Sequence, residues 1–155
     1  MKERRKILFA DLLQAKEECE RLAAAGYTRV GNWSLGQICH HLRVAQDASV
    51  EGYPTWMLIS LPLRPVLRWF MLDKLLRGDS PAGIRTAGIF VPPESSDEKV
   101  ELEKFAASIE RFRNHSGSLH SHPGFGRFTH EEFERFHAAH ASHHLGFLLP
   151  AESTQ

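Results

Sequence analysis

Phe133-Glu134-Arg135-Phe136-His137-Ala138-Ala139-His140-Ala141-Ser142-His143-His144-Leu145-Gly146-Phe147 is the stretch from which the fold follows. In a helix each residue turns about 100°. With Phe133 as the reference direction, Phe136, His140, His144 and Phe147 all fall within roughly 60° of it. The result is a buried stripe of phenylalanine with two imidazoles in the middle. Burying a polar group without a partner costs about 1–3 kcal/mol, against a net stability of about 5–15 kcal/mol for a domain. The imidazoles of His140 and His144 therefore need partners. A carbonyl or carboxylate in an ordinary core would serve, and a shared metal ion would serve both at once.

Working outward, the same periodicity marks three more long helices. Leu8, Leu12, Ala15, Cys19 and Leu22 repeat at alternating spacings of four and three and predict a helix from Lys6 to Ala25, stopped by Gly26. Ser34 followed by Gln37 is a capping box, with Trp33 as the staple residue before it. Leu35, Ile38, Leu42, Ala45 and Ser49 form the buried side of that helix, and His41 lies on it. His40 and Cys39 point elsewhere. Ser95 with Glu98 predicts the start of a third helix whose core face is Leu102, Phe105, Ile109 and Phe112. Thr129 with Glu132 caps the histidine helix, which is expected to run to Leu148.

Between these lie less regular segments. Residues 55–76 are apolar, but Pro62, Pro65, Arg64 and Arg68 argue against a membrane span and for a loop followed by a connecting helix from Pro65 to Arg77. Residues 78–94 read as a long crossover. Asn114 to Phe128, rich in Gly, Ser, His and Pro, reads as a structureless loop, of the kind that is functional or disordered. There is no convincing strand. The expectation is an all-α four-helix bundle with a long crossover and an extra connecting helix, formed by residues 1–155 as one domain.

Composition narrows the partners. The 155 residues carry 19 Lys+Arg against 19 Asp+Glu, which argues against a nucleic-acid partner held by phosphate electrostatics. The two cysteines, Cys19 and Cys39, make neither a disulfide framework nor a Cys-rich metal site and suit a reducing, cytoplasmic setting. The basic start is followed by an apolar run broken by Asp11, which reads as an amphipathic helix and not as a signal peptide. Eight of the ten histidines lie between His115 and His144.

Helical bundles build metal sites from side chains on facing helices. His41 from the second helix, with His140 and His144 from the last, makes a three-imidazole set. Three protein ligands with an open position are the pattern of a catalytic or ligand-exchanging site. Imidazole suits zinc, nickel, copper or iron. The pair is no zincin motif, because Ala141 stands where that motif has a Glu base. His40 is the rival to His41. His122 is a loop ligand, a pocket acid or base, or an exposed residue. His137 and His143 are read as supporting or surface residues, and Cys39 as a buried inert thiol. Trp33, Trp56, Trp69, Phe90 and Phe125 are pocket-lining residues or ordinary core.

Trp33-Ser34-Leu35-Gly36-Gln37-Ile38-Cys39-His40-His41-Leu42 resembles the second-helix motif of the DinB-like superfamily, in which a metal-binding His follows the Trp by eight residues. His140 through His144 resembles the last-helix His-x-x-x-His of that superfamily. His122-Pro123-Gly124-Phe125-Gly126 with the histidine helix is similar to a DinB-like subfamily of unknown function. The resemblance implies a bundle in which His41, His140 and His144 bind one divalent metal, zinc or nickel first, in a homodimer. It further implies a metal-dependent transferase that activates a low-molecular-weight thiol toward a small-molecule electrophile. Phe147 stands where such relatives often carry Gln. The alternatives are a non-catalytic metal or small-ligand binding module and a structural dimer without metal.

Overall fold

The computed structural model describes residues 3–84 and 86–151. They form four long helices: α1 (Leu12–Ala25), α2 (Leu35–Glu51), α3 (Glu98–Arg113) and α4 (His130–Leu145). Two three-residue strands, β1 (Tyr27–Arg29) and β2 (Leu148–Pro150), and shorter helical segments over Thr55–Leu76 and at Gly88–Phe90 complete the regular structure. The protein is mostly helical with one small sheet.

The caps explain the boundaries. Ser34 and Thr129 each accept from the backbone of the residue three on, and Gln37 and Glu132 return the bond, so both expected capping boxes form. The first helix begins at Leu12 and not at Lys6, because the Asp11 side chain accepts from Gln14 N and fixes the start there. Leu8, outside the helix, is 55% exposed. The third helix likewise starts after Asp97, whose side chain accepts from Val100 N, and not after Ser95. At the end of α1, Gly26 takes φ 79°, a conformation that side-chain-bearing residues rarely adopt.

The buried stripes meet in one core. Leu12, Ala15, Cys19 and Leu22 face Leu35, Ile38 and Leu42 together with Phe105, Ile109, Phe112, Phe133 and Leu145. Helix α2 packs most extensively along α3, and α1 along α4. Gly36 permits the first of these pairings: a Cβ there would stand 3.0 Å from Glu98 Cα. Cys39 does not point away from the core, as the stripe suggested, but is a buried thiol, as its alternative reading had it. Its sulfur lies 3.9 Å from that of Cys19.

Three expectations are corrected. The sheet was not foreseen. β1 and β2 pair antiparallel, Tyr27 with Pro150, Thr28 with Leu149 and Arg29 with Leu148, and Val30 N donates to Phe147 O at 2.9 Å. This pairing ends α4 at Leu145 and ties the entry of α2 to the exit of α4. Residues Thr55–Leu63, expected as a loop, form 3₁₀ turns with Pro62 among them, whereas the connecting helix expected from Pro65 to Arg77 is present as an unbroken run from Arg64 to Leu76 that loosens to π geometry at Arg68–Leu72. The loop from Asn114 to Phe128 is ordered by a turn in which His122 N donates to Gly126 O (2.8 Å) and Gly126 N to His122 O (2.9 Å). Among the described residues no helix is long and apolar enough to cross a membrane.

Candidate metal centre

His41 lies in the middle of α2, and His140 and His144 lie one turn apart near the end of α4. One ring nitrogen from each falls within 4.8 Å of the others, a group that can hold a metal ion. His140 Nε2 is 3.1 Å from His41 Nε2 and 3.1 Å from His144 Nε2. Imidazole nitrogens about 2.0–2.1 Å from a shared tetrahedral ion stand about 3.3 Å apart, so the two separations made by His140 suit such an ion, while His41 and His144 are bounded only by the 4.8 Å span of the group.

Proton bookkeeping sharpens the fit. His41 Nδ1 lies 2.7 Å from Phe90 O, and a carbonyl only accepts, so Nδ1 carries the proton. The Nε2 of neutral His41 is then a bare lone pair aimed at His140. His140 Nε2 has at most one proton to share between two neighbours. Whichever tautomers His140 and His144 adopt, one of the two 3.1 Å contacts has no proper donor–acceptor pair. A cation accepting all three lone pairs removes this conflict.

Electrostatics keep the lone pairs free. Burial pushes the pKa of His41 down, and that of His140 and His144 well down, with the neighbouring imidazoles adding to the effect. Neutral imidazole is the form that ligates. Trp33 stacks on His144 with ring centroids 5.4 Å apart and tilts over His41 at 4.9 Å, closing one side of the set.

The three rings open into a cavity of about 590 Å³. Its remaining wall is mainly apolar, including Met57, Met71, Leu75, Phe90, Phe125 and Phe136, and among the described residues it has no carboxylate. Trp33, Phe90 and Phe125 therefore line a pocket, as the sequence allowed. Trp56 and Trp69 do not line this cavity; they are 57% and 77% exposed.

The other histidines separate clearly. His40 faces α3, with Nδ1 3.2 Å from Glu101 Oε2, and takes no part in the cluster. His143 lines the cavity edge and accepts from Arg4 at 3.0 Å. His137 is not a surface residue but 3% exposed, and its Nε2 lies 3.2 Å from Ser49 Oγ. Ser49 spends its own proton on Gln46 O, so His137 Nε2 is the donor. Its position was legible: four residues after Phe133, it sits about 40° round the same stripe. His122 comes to the cavity wall and not to the metal set. Sequence reasoning passed over two groups, the Phe90 carbonyl and Tyr53. Neither has a local signal, since Phe90 acts through its backbone and Tyr53 reads only as part of the Gly-Tyr-Pro helix stop.

The chain belongs to the family described as "Protein of unknown function (DUF1569)", whose model matches residues 1–151. No curated protein and no solved structure matches it. The match corrects the resemblance to the DinB-like superfamily. The motifs that carried that resemblance are a helix cap and a His pair at helical spacing, short patterns that bundle helices form whatever their ancestry.

Proposed function

We propose that the protein holds one divalent ion, zinc or nickel, through His41, His140 and His144. We further propose that it uses the ion on a small molecule in the adjoining cavity, as a metal-dependent transferase of a low-molecular-weight thiol. The observation that supports this is the convergence of three imidazole Nε2 atoms whose two mutual contacts cannot both be hydrogen bonds. The reading takes residues 1–155 as one domain in which α1 to α4 form a four-helix bundle.

A divalent ion here would lower the pKa of a thiol or water bound beside it. The chain's own residues supply the rest. The Phe90 carbonyl fixes the tautomer and the ring orientation of His41, as partners of metal-binding histidines commonly do. Trp33 packs against two of the three rings. The apolar wall excludes water and accepts an uncharged electrophile.

A second reading is a binding module without turnover. The observation that favours it is that, among the described residues, the cavity wall has no carboxylate base. Both readings are tested by titrating metal-free protein with cobalt(II) and then assaying loss of free thiol from glutathione or cysteine with 1-chloro-2,4-dinitrobenzene. Visible cobalt absorption that disappears in His140→Ala supports the metal centre. Thiol consumption that depends on the ion supports the transferase. Cobalt absorption without thiol consumption supports the binding module. No absorption in the wild type contradicts both.

A further inference from the structure

Away from the three histidines, the same cavity carries two polar groups that the metal centre does not use. His122 stands in the turn between α3 and α4. Gly124 N and Phe125 N both donate to His122 Nδ1, each at 3.1 Å. An atom that accepts two amide protons carries none itself, so in the neutral ring the hydrogen is on Nε2. Burial, with the Arg64 charge adding, pushes the His122 pKa down to about 3 and keeps the ring neutral at ordinary pH. Among the described residues no group accepts from Nε2, and the ring lines the cavity.

The turn is held firmly. Arg64 Nε donates to Pro123 O at 2.7 Å and Arg68 Nη1 to Phe125 O at 2.6 Å, while Ser60 Oγ has one proton for Pro123 O at 2.8 Å and Met57 O at 2.9 Å. This is the service that the segment Thr55–Leu76 renders to the loop: it clamps the turn whose amides set the His122 tautomer.

Tyr53 is the second group. Its ring meets that of His122 edge to face at 5.5 Å, and it lines the same cavity. Its hydroxyl is buried and has no hydrogen-bond partner among the described residues, and burial pushes its pKa up. Folded proteins rarely leave such a group unpaired. Phe136 stands between this pair and the metal set, 5.1 Å from the His122 ring and 6.1 Å from that of His140.

We propose that Tyr53 O–H and His122 Nε2–H form a hydrogen-bond-donor subsite for the carbonyl oxygen of an apolar small molecule. Both groups are neutral donors, so the ligand group must be an acceptor. No Lys or Arg lines the cavity among the described residues, so an anion would lie there without a counter-charge, at a cost that a neutral oxygen escapes. The apolar wall takes the rest of the molecule. This names the substrate class of the proposed site; it rests on the cavity of that reading and not on the ion.

The test compares two probes of nearly equal shape, acetophenone and α-methylstyrene, which differ in having C=O or C=CH₂. Dissociation constants are measured by NMR titration of metal-free protein. Wild type is expected to prefer acetophenone by about tenfold, and Tyr53→Phe and His122→Phe are each expected to cut that preference to about threefold. A packing defect weakens both probes alike and leaves the ratio unchanged, so the ratio separates recognition from structure. His140→Ala, which removes the metal set, should keep the wild-type ratio. A metal-free protein that prefers the ketone therefore supports the subsite even if no ion ever binds. Equal affinities in wild type, a ratio unmoved by both substitutions, or binding of neither probe overturns the proposal.

Discussion

His137 and His140 stand three residues apart on α4, and their surroundings treat them in opposite ways. His137 is sealed between α2 and α4, stacks on Phe133 at 5.2 Å and donates to Ser49 Oγ. Its position is that of a core residue, satisfied by the protein. His140 opens on the cavity, and the nitrogens facing it belong to two other imidazoles with the same need for a proton. His130 sides with His137, since it donates to Phe112 O at 2.9 Å and stacks on Phe112 at 4.6 Å. The contrast shows that a buried imidazole is not by itself a site. What marks one is a nitrogen that the fold places beside others and provides with no donor or acceptor of the right kind.

Substitutions can break or sharpen this contrast. The largest effect is expected for metal affinity. His140→Ala should lower it by more than about 100-fold, because loss of a partner that merely orients a ligand already costs about 10–100-fold. His137→Ala should leave it unchanged. Competition with a chelating dye measures both, and equal losses would put the two histidines in one class.

Stability should show the reverse order. In metal-free protein His137→Ala should cost about 2–4 kcal/mol, from the cavity and the lost bond. His140→Ala should cost less than about 1.5 kcal/mol, because only one of its two imidazole contacts can be a hydrogen bond and its ring opens on the cavity. Urea denaturation decides this, and a larger cost at His140 would mean that the triad is a packed structural cluster.

Acid should act through the buried rings. Burial pushes His137 and His122 down to about 3, from an ordinary value of 6.5. Between pH 6.5 and 3 the unfolded chain therefore takes up protons that the folded chain refuses, and stability falls as pH falls through that window. At about 1.4 kcal/mol per unit per group, these two rings alone should make metal-free protein roughly 2–4 kcal/mol less stable at pH 5 than at pH 7, and the lowered pKa values of His41, His140, His143 and His144 act in the same direction. A flat profile would mean that these rings are accessible to water. The smallest effect is expected at His130, where removal of a half-buried ring should cost about 1 kcal/mol in the same urea assay.

Much of this was legible in the sequence, and what was not has a physical reason. The Ser34 and Thr129 caps could be read because a capping box is complete within four residues. The start of α1 was misplaced because Asp11 competes with the apolar stripe, and the start of α3 because Ser95 and Asp97 both offer a capping oxygen. β1 and β2 are three residues each and are stabilised by each other across the chain, so no local pattern announces them. His41 was separated from His40 by its place on the buried stripe, and the structure puts His40 against Glu101. His137 was misread despite lying on that stripe. His122 and Tyr53 meet only through the tertiary turn that Arg64 and Arg68 hold, which no spacing encodes.

The central claim is that His41, His140 and His144 bind a single divalent ion. Elemental analysis of untagged protein, purified and then equilibrated with zinc or nickel, tests it most directly, with wild type beside His140→Ala and His137→Ala. The prediction is about one ion per chain in wild type and in His137→Ala, and none above background in His140→Ala. No retained ion in the wild type with either metal, or equal retention in all three proteins, would contradict the claim.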